Sequence, residues 1–280
     1  MRVNGQYVHS PSINLCSFII PLCSYYCLYQ FIQLFILACQ HIYQSICSLK
    51  PLLLLMTKSC ILKPLRKDDE DTMFYSFVRG LCRFLLALIN GNAHYLNREK
   101  LPEGNYILVG PHRTWFDPIY FALAAAPKKF SFMAKKELFA NPILRWILTR
   151  ANAFPVNRQD PGPSAIKIPV KSLRKSDLSL IMFPSGTRHS QELKGGVTLI
   201  AKLSGKPIVP AVYQGPLTFK RLFSRKRVTV AFGEPIYLDR KRKLDAAYQQ
   251  EIIQQMEQQF VQLDHSIDPN FHYTDPHPKK

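Results

Sequence analysis

The chain has 280 residues, with 37 Lys+Arg against 19 Asp+Glu and a formal net charge of +18. That length allows one large domain or two small ones with a substantial core, and the seven cysteines contain no CxxC pair, which argues against a zinc knuckle or a redox pair. The basic excess favours a polyanionic partner, whether nucleic acid, an anionic membrane surface or a phosphorylated substrate.

Residues 1–72 differ from the rest. From Val3 to Leu49 there is no Asp, Glu, Lys or Arg, and the run is long enough to cross a bilayer, although Pro21 and several glutamines interrupt it. It is too long for a signal peptide and lacks a clear small-residue cleavage site. If it inserts, Lys50, Lys58, Lys63, Arg66 and Lys67 outnumber Arg2 and place the C-terminal side in the cytoplasm. The competing reading makes residues 1–72 an upstream extension with Met73 the true start. Both stay open at this point. Six of the seven cysteines lie before residue 61, and the single later one, Cys82, fits a reducing compartment.

"MFYSFVRGLCRFLLALIN" (73–90) carries Phe74, Phe77, Val78, Leu81, Phe84, Leu85, Leu88 and Ile89 at helical spacing, with Ser76, Arg79 and Arg83 on the other side. This is either a helix packed on the core or, preferred here, a membrane-interface helix with arginines towards anionic headgroups.

From 100 to 265 short apolar runs alternate with helical patterns. Strands are expected at 105–110, 130–134, 152–156, 178–183, 207–213 and 227–233, and helices at about 116–126, 135–149, 163–176, 194–204 and 245–263. The alternation predicts an α/β domain over 73–265 with a mixed, largely parallel sheet flanked by helices. Residues 266–280 read as a disordered tail.

Ligands of open α/β sheets collect beyond the carboxyl ends of the strands. His112, Arg158 and Arg188 all follow predicted strands. In "VGPHRTWFDP", Asp117 can turn back on His112, fix its tautomer and support it as a general base. Asp117 as a plain helix N-terminal residue is the alternative. Arg158 in "FPVNR" and Arg188 in "FPSGTRHS" offer two guanidinium forks for a phosphate monoester, with Ser185-Gly186-Thr187 forming a tight turn beside them; two surface arginines are the other reading. Pro210 within "GKPIVPAVY" requires an edge or a bulge. "KRLFSRKR" (220–227) and "RKRK" (240–243) are the densest basic clusters, read either as docking surfaces or as solvated faces.

Taken in order, "HRTWFD", "FPVNR", "FPSGTRHS" and "IVPA" resemble the four blocks of the glycerolipid acyltransferase family, above all its bacterial 1-acyl-sn-glycerol-3-phosphate branch, and "FMAKKELF" is similar to the family's Lys-x-Glu-Leu stretch. The resemblance runs from about residue 73 to 265. It implies a glycerol-3-phosphate acyltransferase-like fold with an N-terminal membrane-associating helix at the cytoplasmic face of the cell membrane. It also implies transfer of a fatty acyl group from acyl carrier protein or acyl-CoA to the sn-2 hydroxyl of lysophosphatidate, giving phosphatidate, without metal or prosthetic group. In that scheme His112 is the base, Asp117 orients it, and Arg158, Arg188 and Lys135 hold the acceptor phosphate, with Ser185, Gly186 and Thr187 contributing to acceptor binding. Ser185 departs from the pattern, because the family has Glu there. That departure keeps a glycerol-3-phosphate or other lysophospholipid acceptor open. A nucleic-acid-binding protein is disfavoured, since aromatics do not interleave with Lys and Arg.

Overall fold

The computed structural model describes residues 67–157, 160–186 and 193–275, apart from the side chains of 67–72 and Phe219. By compactness the chain divides into Met1–Pro64 and Leu65–Lys280. The expectations for 1–66 lie outside the described residues, and the sheet with its flanking helices belongs to the second unit.

Its elements are α1 (Lys67–Asn90), β1 (His94–Leu96), β2 (Ile107–Val109), α2 (Asp117–Ala124), β3 (Lys129–Lys135), α3 (Pro142–Arg150), β4 (Ala153–Val156), α4 (Ser164–Lys175), β5 (Leu178–Met182), α5 (Gly196–Ser204), β6 (Ile208–Gln214), α6 (Phe219–Leu222), β7 (Thr229–Phe232) and α7 (Ala246–Ile267). One seven-stranded sheet has the order β1-β7-β6-β2-β5-β3-β4. Every neighbouring pair is parallel except β6–β7. This is the mixed, largely parallel sheet flanked by helices that the alternation predicts.

Both faces of the sheet are covered, so β2, β6 and β7 are buried at every residue instead of alternating. Side chains of period two divide the core. Val109, Ile200, Ile252, Met256 and Phe260 pack on one face with α4, α5 and α7. Leu108, Phe116, Phe121, Phe130 and Phe232 pack on the other with α2.

Two local departures from the sequence pattern have physical causes, and Pro210 takes the bulge that is one of its two expected settings. The helix expected at 135–149 is split: β3 continues to Lys135, a 3₁₀ turn covers Lys136–Phe139, and α3 starts only at Pro142. Asn141 is held extended before the proline, and its side-chain oxygen accepts from the N–H groups of Ile143 and Leu144 at 2.9 and 3.1 Å. β1 has no signature in the sequence; it is three residues long and half exposed, too short to show a period. Pro210 lies in the sheet interior rather than at an edge. Its carbonyl accepts from Gly233 N–H at 2.7 Å, so its missing N–H faces the same side. There, between the Ala211–Phe232 and Ile208–Ile236 pairings, three residues oppose two. The bulge removes the need for a donor.

α1 begins at Lys67, before the expected Met73, and lies along the α2 face of the core. Tyr75 is buried and its hydroxyl accepts from Phe130 N–H at 3.2 Å. Arg79 donates to the Pro127 carbonyl at 2.8 Å and to that of Lys128 at 3.2 Å, so it faces protein rather than a headgroup. The opposite side carries Met73, Phe77, Phe84 and Leu88, all exposed and, at helical spacing, on one stripe. Met73–Asn90 is long and apolar enough to cross a membrane. At the other end of the chain, α7 runs to Ile267, past the expected 263, and rings of the tail lie over Arg113, whose guanidinium carbon is 4.8 Å from the Phe271 ring and 5.6 Å from that of Tyr273.

Candidate active site

Because β6, β2, β5, β3 and β4 are neighbours and mutually parallel, their carboxyl ends open on one edge of the sheet. His112 follows β2, Lys135 ends β3, Asn157 follows β4 and Ser185 follows β5. Segments far apart in sequence therefore emerge a few strand spacings apart. The basic stretch 220–227 connects β6 to β7 and starts from the same edge, whereas 240–243 follows β7 and lies at the opposite one. Part of that second cluster is structural: Arg240 donates to the Gly205 carbonyl at 3.1 Å, and Arg242 pairs with Glu251 at 2.8 Å.

The turn from β2 into α2 is wired through one carboxylate. Asp117 has no exposed surface, and its Oδ2 meets three donors: His112 Nδ1 at 3.2 Å, Arg113 N–H at 2.6 Å and Thr114 N–H at 2.8 Å. These groups precede Asp117 in the chain, so it holds the loop rather than capping α2. In the neutral ring the Nδ1 contact to a carboxylate assigns the proton to Nδ1 and leaves Nε2 as an acceptor; among the described residues no hydrogen bond to Nε2 is seen. The ring stacks on Phe183 at 4.2 Å, with 23° between planes, and Phe183 stacks in turn on Phe121 at 5.9 Å. His112 is thus held through Nδ1 and through one face of its ring. Because the N–H groups of Arg113 and Thr114 are committed to Asp117, neither is free to meet a developing oxyanion.

Gly110 lets this turn form. A Cβ there would lie 2.6 Å from the Ala211 carbonyl oxygen and 2.7 Å from the Phe121 ring. Below the turn Tyr213 is buried and donates to the Pro216 carbonyl at 2.9 Å. Burial, with Tyr120 and Asp117 nearby, pushes its phenol well above the usual range, so it stays neutral.

Of the other expected residues, Lys135 is half exposed and 3.7 Å from Glu137. Ser185 and Gly186 form the expected tight turn, in which Gly186 donates to the Phe183 carbonyl at 2.9 Å and takes φ of 69°. Ser185 is only 2 % exposed. Arg158, Thr187 and Arg188 lie outside the described residues.

Two features escape a reading of the sequence. Phe183 is visible there only as the flank of a block, and its role depends on β5 lying beside β2. Arg113 is 6 % exposed and makes a two-pronged ion pair with Asp264, 151 residues away in α7. No local pattern signals that partner.

Residues 92–214 match the family model described as Acyltransferase. The chain is 50% identical over 198 residues to the 1-acyl-sn-glycerol-3-phosphate acyltransferase of Streptococcus pneumoniae, covering 70% of this chain and 75% of that one. It is 39% identical over 166 residues to the enzyme of the same name from Bacillus subtilis, covering 58% and 82%. The crystal structure of the 1-acyl-sn-glycerophosphate (LPA) acyltransferase PlsC from Thermotoga maritima superposes with a TM-score of 0.56 at 16% identity, over 86% of this chain and 99% of that one, and supports the fold. The His112–Asp117 turn falls inside the matched segment, at the edge where this sheet collects its loops, and the chain belongs to the 1-acyl-sn-glycerol-3-phosphate acyltransferases, a family of O-acyltransferases.

Proposed function

We propose that the protein transfers a fatty acyl group from an acyl thioester, on acyl carrier protein or coenzyme A, to the sn-2 hydroxyl of lysophosphatidate, and that His112 is the general base. His112 Nε2 takes the hydroxyl proton as that oxygen attacks the thioester carbonyl carbon. The tetrahedral intermediate then collapses with C–S cleavage, and the thiolate leaves with the proton carried by the imidazolium. Asp117 fixes the tautomer and favours the imidazolium that forms. No protein nucleophile takes part, so both substrates are bound together. Arg158, Arg188 and Lys135 bind the acceptor phosphate in this scheme; Lys135 ends β3 at the His112 edge, and the described chain leaves β4 at Asn157 and β5 through Ser185 and Gly186 at that same edge.

The observation that carries the reading is the three-donor Asp117 carboxylate with the His112 ring clamped between it and Phe183. Acceptor choice is inferred from the 50% identical relative.

The protein works at an anionic membrane surface, on the cytoplasmic face. Supporting this are the exposed apolar stripe of α1, the exposed Trp115 in the turn after β2, and the exposed Phe223 among Lys220, Arg221, Arg225 and Lys226 in the connection after β6, both of which leave the sheet at the edge where the site opens. The test is an acceptor panel with a defined acyl donor. Phosphatidate formed from lysophosphatidate, with glycerol-3-phosphate turned over at least about tenfold less efficiently in kcat/KM, is the expected result. Preference for glycerol-3-phosphate would overturn the acceptor assignment.

A further inference from the structure

We infer that Arg113 and Asp264 are positioning residues for acyl transfer, through which the end of α7 holds the His112–Asp117 turn in register; the inference rests on the general-base reading of His112. Arg113 is next to His112 in the chain, and its own N–H makes the shortest of the three bonds to Asp117 Oδ2, at 2.6 Å. Whatever fixes Arg113 therefore fixes both members of the pair.

Its side chain is fixed thoroughly. Nη1 donates to Asp264 Oδ1 at 2.9 Å and to the Tyr213 carbonyl at 2.7 Å, and Nη2 donates to Asp264 Oδ2. Gln214 Nε2 donates to Asp264 Oδ1 at 3.0 Å and to the Asp264 carbonyl at 2.8 Å. The rings of Phe271 and Tyr273 cover the guanidinium. The anchor thus joins the loop after β2, the end of β6, the last turns of α7 and the tail.

A buried ion pair of this kind is seldom the most stable filling of its site, because desolvation offsets the attraction and apolar residues of similar volume serve as well or better. What apolar residues cannot do is set one direction. The planar fork meets a carboxylate in a single geometry, and with the Tyr213 carbonyl bond it tethers Arg113, whose backbone N–H bonds Asp117, to α7 and the end of β6.

The experiment compares wild type with Asp264→Asn, the double variant Arg113→Met/Asp264→Leu, and His112→Ala, reading Tm, kcat and the KM values for lysophosphatidate and acyl-CoA. The double variant removes both charges and is expected to keep its Tm. The anchor predicts kcat down by about 10²-fold in Asp264→Asn and in the double variant, the scale of a misplaced catalytic group, with both KM values little changed. A double variant with wild-type Tm and wild-type kcat would show that the pair is needed neither for stability nor for turnover and would overturn the inference. So would Asp264→Asn losing Tm while keeping kcat. If His112→Ala keeps turnover, the general-base reading fails instead; if it loses turnover while both anchor variants keep theirs, only the anchor fails.

Discussion

A carboxylate without exposed surface needs donors in place of water, and Asp117 Oδ2 is met by two backbone N–H groups and an imidazole. The two N–H groups hold it through the backbone, so the oxygen facing His112 does not depend on any exposed side chain. In that arrangement the Asp117 side chain bonds the preceding loop and caps no N–H of α2, which sets aside its reading as a plain helix cap. The His-x4-Asp spacing is legible in the sequence because both residues belong to one short turn. Arg113 and Phe183 are not legible, since their partners arrive from α7 and from β5 through the fold. Ser185 is buried. Its hydroxyl is covered, so its replacement acts on the turn that precedes Thr187 and Arg188. Ser185→Ala is therefore expected to lower Tm in a thermal melt while lysophosphatidate KM stays within about twofold; a KM raised about tenfold or more would place the hydroxyl on the acceptor.

At the scale of elements, the strands are readable as apolar runs because a sheet covered on both faces needs no alternation. The six expected strands are all present. The strand without a signature, β1, has three residues and one half-buried position, and the split at Ala140–Asn141 is hidden by an apolar pattern that continues across it. Turn β2–α2 carries the strictest local demand. The Cβ of Gly110→Ala would press on the backbone of β6 as well as on Phe121, and a carbonyl in the middle of a sheet has little room to retreat. The variant is expected to cost about 1–3 kcal/mol, as overpacking does, and to lower Tm by about 2–4 °C per kcal/mol. Calorimetry showing an unchanged Tm would mean that the turn moves freely, and with it His112.

For the whole molecule, the parallel order β6-β2-β5-β3-β4 brings the carboxyl ends of five strands to one edge, with His112, Lys135, Asn157 and Ser185 at or just past four of them. Strand order is set by long-range packing and cannot be read from any single segment, although the rule that loops gather at carboxyl ends anticipates the outcome. The same topology sorts the basic clusters, placing 220–227 on the site edge and using Arg240 and Arg242 elsewhere as ties. α1 packs one side, with Tyr75 and Arg79, on the core and leaves Met73, Phe77, Phe84 and Leu88 exposed on the other. Replacing Phe77, Phe84 and Leu88 by Ser removes large apolar groups from the exposed stripe, each contributing about 1.5–3 kcal/mol when fully buried in an apolar phase. Binding to anionic vesicles in a sedimentation assay is expected to fall by at least about tenfold, even with partial insertion. Equal sedimentation of variant and wild type would remove α1 from the membrane contact.

The central claim is that the His112 imidazole, held by Asp117, takes the acceptor's proton. Steady-state acyl transfer to lysophosphatidate by wild type and His112→Ala tests it most directly. The account predicts kcat lowered by about 10²–10⁴-fold or more, with the fold intact by circular dichroism. Turnover by His112→Ala within about threefold of wild type would contradict it.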